Sequence, residues 1–350
     1  MVAGIIIRKS NKDMKNIDWS NLGFGYIKCN TNVRVECKDG VWGEITTHTE
    51  DTIPLHISAA ALHYGAEAFE GLKAFMGEDG KVRLFRPEDN ARRLISSAHR
   101  LCMAEPPVEL FMEMVKMVAS QNIEFVPPYG TGASLYIRPV LLGSDATLGI
   151  KPGHEYTLVV FVSPVGAYFK GGMDMIDVIV NTDYDRAAPR GTGAVKAGGN
   201  YACSIYPGEE AHKKGYSNVL YLDAVERQYV EECGAANFFG IKDGRYVTPE
   251  SPSILPSITN MSLRTLAAEL GLKVEQRPIP FEEVSTFDEC GACGTAAVIS
   301  PIGTIFDPET EETLTFGTEV GAYCKAMYDK LQDIQYGRCD DPYGWTVIVE

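Results

Sequence analysis

The chain has 350 residues, too many for one ordinary core and enough for two domains. Apolar residues make up 45% and charged residues 23%, an ordinary balance for a globular protein. Lys and Arg number 32 against 47 Asp and Glu, a formal net charge of -15. That argues against nucleic acid or an anionic membrane as partner, but not against anionic small molecules, which a few pocket arginines can hold.

No run approaches the ~20 apolar residues of a membrane helix. The start, "MVAGIIIRKSNKDM", lacks the long apolar region and small-residue cleavage site of a signal peptide. The nine cysteines are odd in number and scattered, which fits reduced thiols. The expected compartment is the cytoplasm.

In chain order, "VRVECKDGVWGEITTH" reads as a hairpin turning at Asp39-Gly40, and "LKAFMGEDGKVRLFR" as a second turning at Asp79-Gly80. "PEDNARRLISSAHRL" opens with Pro87 and early acids, so it is a helix, and "VELFMEMVKMVASQNI" is a second. "ASLYIRPVLLG" and "EYTLVVFVSPV" are strands. "SPVGAYFKGGMDM" is Gly-rich and without periodicity, the best linker. Beyond it come strand "DVIVNT", helix "NYACSIYPGEEAHKKG", strand "NVLYLDA", hairpin "NFFGIKDGRYVTP" and helix "NMSLRTLAAELG". "KVEQRPI", the Gly-rich "CGACGTAAVISPI" and a last helix near "EVGAYCKAMYDKLQDIQYG" end the chain. The expectation is an α/β chain of α+β type. Its smaller first domain spans residues 1–164, an interdomain loop 165–176, and a larger second domain 177–350.

One stretch stands out. "RGTGAVKAGGNYACS" sets Lys196 among glycines and alanines. Glycines let backbone approach a ligand closely. A lysine without charged neighbours, desolvated beside a ligand, can lose its proton near neutral pH and attack carbonyls. With pyridoxal phosphate as the carbonyl, the rest of the site becomes an expectation: an acid for the pyridine nitrogen, and donors for the phosphate and ring oxygen. Glu232, in "VEECGAANFFG", is the candidate acid. Ser257, Ile258 and Thr259 precede a helix whose unpaired amides suit an anion. Gly294-Thr295 and Arg86, the latter at a strand end before Pro87, could serve the same phosphate. Each of these residues alone has a plainer reading, as a loop lysine, a turn acid, an N-cap or a surface arginine.

"LHYGAEAFEGLKAF", "RLFRPEDNARRL", "LYIRPVLLG", "SPVGAYF", "GAVKAGGNY", "EECGAANFF", "LPSITNMSL" and "CGTAAVISP" together resemble, in order, the motifs of branched-chain amino acid aminotransferases. These are fold-type IV pyridoxal-phosphate enzymes, and the resemblance runs over residues 62–301, nearest the longer branch that includes the mitochondrial enzymes. It implies the two-domain D-amino acid aminotransferase-like fold and a homodimer with shared active sites. It implies that Lys196 bonds the cofactor and shuttles the α-proton, Glu232 pairs with the pyridine nitrogen and Tyr201 with the ring oxygen. Arg86, Ile258, Thr259 and Thr295 would hold the phosphate. The substrate α-carboxylate would meet the amides of Thr295 and Ala296 near Tyr136. The substrate side chain would meet Phe69, Tyr168 and the partner subunit's Tyr64 and Leu148, and Arg138 would take the distal carboxylate of glutamate. An arginine can grip a carboxylate with two parallel bonds.

The chain departs from the animal mitochondrial pattern. Ala297 and Ser300 stand where those enzymes carry a redox Cys-x-x-Cys, and Ala235 where they carry a threonine. Its own pair, Cys290 and Cys293, has no histidine nearby and is a weak zinc signal, so no metal is expected. The rival readings are a D-amino acid aminotransferase or aminodeoxychorismate lyase of the same fold, a non-catalytic cofactor-binding protein, and a metal enzyme. "YIRP" with "SPVGAYF" favours the branched-chain reading.

Overall fold

The structure is a computed structural model that describes residues 17–166 and 173–349. Asp39 and Gly40 both take positive φ, 49° and 80°, and turn the first hairpin. It joins β1 (Asn32–Lys38) to β2 (Val41–Trp42), and β3 (Thr46–His48) follows. A short helix, α1 (Ala60–Tyr64), leads into β4 (Glu67–Phe69), β5 (Leu72–Met76) and β6 (Val82–Phe85). Pro87 then starts α2 (Pro87–Arg100), and α3 (Val108–Gln121) packs against it. β7 (Ser134–Gly143) and β8 (Glu155–Val165) complete the first half.

In β7 the side chains alternate. Leu135, Ile137 and Leu141 are fully buried against Leu94 of α2 and Phe111, Met114, Val115 and Val118 of α3. Tyr136 and Arg138 point to the opposite face, as period 2 requires. This sheet runs β6-β5-β7-β8-β1-β2, with β3 on β1 and β4 on β7, and every pair is antiparallel.

The second half contributes β9 (Ile176–Asn181), α4 (Gly198–Lys213), β10 (Asn218–Leu222), β11 (Val230–Cys233), β12 (Ala236–Lys242) and β13 (Arg245–Thr248). Then come α5 (Ile258–Glu269), β14 (Lys273–Gln276), α6 (Phe281–Val284), β15 (Glu289–Gly294), β16 (Val298–Asp307), β17 (Glu312–Thr315) and α7 (Ala322–Gln335). Its sheet runs β11-β10-β9-β16-β15-β12, and a further β11–β12 pairing joins the two ends. Those six strands therefore form a closed barrel, with β13, β14 and β17 as extensions.

The chain's last strand, β18 (Thr346–Val349), returns to the first sheet and pairs antiparallel with β6. Residues 177–350, expected to form one domain, thus lend a strand to the other half. Among the described residues no helix is long and apolar enough to cross a membrane.

Candidate active site

The loop before α4 is fixed before any ligand is considered. Asn200 donates to Thr192 O at 2.6 Å and Val195 O at 2.9 Å, and accepts from Thr192 Oγ1 at 2.7 Å. Lys196 N–H donates to Ser97 Oγ of α2 at 3.0 Å, and Lys196 O accepts from Phe69 N–H of β4 at 3.0 Å. Gly193 lies so close to Ser253 O that a Cβ would overlap it. Small residues here let the loop press against neighbouring backbone, and between residues 191 and 199 only Lys196 has a long side chain.

Lys196 Nζ reaches Tyr201 Oη at 2.6 Å and sits 4.7 Å from the Phe69 ring centroid. Burial, with the nearby Arg93 and Arg138, pushes its pKa down to about 8, although Glu70 and Glu232 pull the other way. Burial also raises the Tyr201 phenol well above its ordinary value.

Glu232 lies on β11, opposite Asn237 of β12 across a tight turn through Gly234 (φ 58°). It is 3% exposed. One oxygen accepts from Leu255 N–H at 2.9 Å and Asn237 Nδ2 at 3.0 Å, and the other pairs with Arg186 Nη1 at 3.1 Å. Arg186, itself buried, also donates to Ser253 O. Desolvation pushes the Glu232 carboxyl up to about 7, against the opposing pull of Arg186 and the Leu255 amide.

Lys196, Tyr201, Glu232, Phe69, Tyr136, Arg138, Thr295 and Ala296 all line one cavity of ≈ 520 Å³ between the first sheet and the barrel mouth. Arg138 stacks 4.8 Å from the Phe69 ring and 5.2 Å from the Tyr136 ring, and donates to Tyr136 Oη at 3.1 Å. Its buried Nε has no hydrogen-bond partner among the described residues. Gly71 adjoins the Tyr136 hydroxyl, where a Cβ would collide with it. Ile258 and Thr259 lie at the start of α5, whose N-cap Ser257 accepts from Asn260 N–H at 3.2 Å. With Thr295 they line a small adjoining pocket. The cavity is thus acidic at one point and cationic or amide-lined elsewhere.

Arg86 is not in this cavity. It caps α2 at φ 47°, and its guanidinium is held by Asp89 at 2.6 Å, Ser262 Oγ at 2.9 Å and the Trp345 face at 5.1 Å. Those contacts turn it away from the site. The arginine that lines the cavity is Arg93, two helical turns on. Its guanidinium pairs with both oxygens of the fully buried Glu70 at 2.8 Å, and Asn90 donates to the same carboxylate at 2.8 Å. Sequence reasoning overlooked Arg93, Glu70 and Arg186. The spacing of Asn90, Arg93 and Ser97 on one helix face was the available signal for Arg93.

Tyr64 and Leu148 also lie outside the cavity. They are 42% and 82% exposed, and Tyr64 Oη donates to Leu148 O at 2.9 Å. Tyr168 falls outside the described residues. Cys290 and Cys293 are buried on β15, and burial raises both thiols.

The chain matches the family model of amino-transferase class IV over residues 67–305. It is 46% identical over 344 residues to a branched-chain-amino-acid aminotransferase of Haemophilus influenzae, covering 96% of this chain and all of that one. A Helicobacter pylori protein of the same description is 45% identical, over 96% of this chain and 99% of its own. The solved branched-chain amino acid aminotransferase of Escherichia coli superposes with a TM-score of 0.79 at 28% identity, covering 92% of this chain and 100% of that one. By these likenesses, and with a lysine and a carboxylate converging on one cavity, this chain belongs to the class IV aminotransferases and, within them, to the branched-chain amino acid aminotransferases.

Proposed function

We propose that this protein moves the amino group between L-leucine, L-isoleucine or L-valine and 2-oxoglutarate, with pyridoxal phosphate as cofactor. The observation that carries the reading is that Lys196, Glu232 and the unpaired Nε of Arg138 meet in one cavity. When bound, pyridoxal phosphate supplies a carbonyl carbon for amines to attack and a ring that takes up the electron pair left on the substrate α-carbon. The residues fit that group. Glu232, buried and held on both oxygens, is set to accept from the pyridine N–H. Arg93, the helix-start amides of Ile258 and Thr259, and the Thr295 side chain make an anion cradle for the phosphate. Arg93 takes the role first expected of Arg86.

Lys196 Nζ does the proton work. Its lowered pKa leaves a usable fraction of neutral amine at physiological pH. From there it takes the α-proton and returns it to the far side of the transferred nitrogen. Tyr201 Oη, 2.6 Å away, orients the amine. The amides of Thr295 and Ala296, beside Tyr136, receive the α-carboxylate. Phe69 walls the side-chain pocket, and Arg138 takes the distal carboxylate of glutamate. Aromatic walls with one arginine at the edge accept both an aliphatic and an acidic side chain.

We further propose a homodimer in which the partner subunit's Tyr64 and Leu148 complete the pocket. The cytoplasm is the proposed compartment, supported by nine free thiols.

The test follows the visible absorbance of the cofactor-loaded protein mixed separately with L-leucine, L-glutamate and D-alanine. L-leucine and L-glutamate should bleach it and D-alanine should not. In Lys196→Ala the bleaching rate should fall by about a thousandfold or more. Bleaching by D-alanine alone would move the protein to the D-specific relatives.

A further inference from the structure

Lys73 is a buried cation to which the proposed reaction gives no role, although it borders the small pocket of Ile258, Thr259 and Thr295. It lies on β5, is 8% exposed, and its Nζ donates to Ala296 O at 2.7 Å across a gap of 223 residues. Burial pushes its pKa down to about 8, and no neighbouring charge offsets that effect. An apolar chain of similar length would occupy the same space without the desolvation cost.

Its partner carbonyl belongs to an unusual turn. Thr295, Ala296 and Ala297 join β15 to β16, and Gly294 pairs with Val298. Ile299 N–H donates to Ala297 O at 2.9 Å, with Val298 between them at φ 67°. Positive φ at a β-branched residue is a true outlier, and a three-residue turn of this sense is the rare, strained one. Such strain persists only where the surroundings over-determine it. Two anchors do so here. The Val298 side chain packs with Phe75 and Phe85 in the core on one side. Lys73 grips the carbonyl two residues earlier on the other.

We infer that Lys73 is a positioning residue: by holding Ala296 O it keeps the 295–298 turn in the form that presents the Thr295 and Ala296 amides to the substrate α-carboxylate. The inference rests on the transaminase reading above. Since donor and acceptor share that carboxylate, losing the grip weakens binding of both.

The experiment compares the cofactor-loaded wild type with Lys73→Met and Lys73→Arg. In Lys73→Met, KM for L-leucine and for 2-oxoglutarate should each rise about tenfold, the effect of losing one charged hydrogen bond. kcat should stay within about twofold, and cofactor affinity, to which this turn gives only the Thr295 side chain, should fall by less than substrate affinity. Lys73→Arg should recover most of the loss. Amides of residues 295–299 should exchange hydrogen faster in Lys73→Met by mass spectrometry, with or without cofactor. The melting temperature should not fall, because an unpaired buried charge has gone. If Lys73→Met is insoluble, Lys73→Leu, which also lacks a donor, serves the same readings. Unchanged KM values with a lower melting temperature would overturn the inference, as would cofactor affinity falling in step with substrate affinity. A wild type that L-leucine does not bleach sinks the transaminase reading and this inference with it. A bleached wild type with an unchanged variant sinks this inference alone.

Discussion

Two lysines in this protein hold their protons more weakly folded than unfolded. Lys196 and Lys73 both fall from an ordinary 10.5 to about 8, chiefly through burial. Between those values the unfolded chain carries protons that the folded chain has released. Stability therefore rises with pH across this window, by at most about 1.4 kcal/mol per pH unit for each lysine. Urea unfolding of cofactor-free protein between pH 8 and 10 should show a flatter rise in Lys196→Met than in the wild type. Equal slopes would mean that Lys196 is not desolvated as described. At this scale the sequence was informative where chemistry had stripped the surroundings. Lys196 among glycines and Glu232 before two alanines advertise room for a ligand. Arg186 does not, because "DYDRAAPRG" gives no periodicity to say which way it points.

Helix α2 is where a correct element carried a misplaced residue. "RLFRPEDNARRL" offers several arginines, and the strand end before Pro87 drew attention to Arg86. Helical period puts Asn90, Arg93 and Ser97 on one face, and that face meets Glu70 and the Lys196 backbone. The two assignments separate by experiment. Arg93→Gln should weaken cofactor binding about tenfold or more, whereas Arg86→Gln should leave it within about twofold, measured by equilibrium dialysis. The reverse result would restore Arg86. Longer elements such as α3 and β7 were legible from period alone. The strands β4, β11, β17 and β18 and the helices α1 and α6 run only three to five residues, too short for a period to show.

Across the whole molecule, the exposed apolar side chains are not scattered evenly. Ile57 (84%), Leu62, Tyr64, Leu148 (82%) and Ile150 (91%) belong to two segments joined by an Ala59–Ala146 bridge and by Thr147 N–H on Ser58 O. A cluster of this kind suits the proposed dimer interface. Leu148→Asp combined with Ile150→Asp should convert the proposed dimer to monomer by sedimentation and remove most activity. A fully active monomer would refute the shared site. The division into two halves was expected from the Gly-rich linker "SPVGAYFKGGMDM". The closed barrel was not, since β16 pairs with β9 across most of the second half. Nothing local announces such a contact.

The return of β18 to β6 matters most while the protein is being made. β6 leaves the ribosome early, and the strand that covers its outer edge is translated only after the whole second half. At bacterial-to-eukaryotic elongation speeds the delay is roughly 10–50 s. For that interval the nascent first half shows an unpaired backbone edge, which other chains can join. Synthesis of the whole second half, not emergence of its own hairpins, is what completes the first sheet.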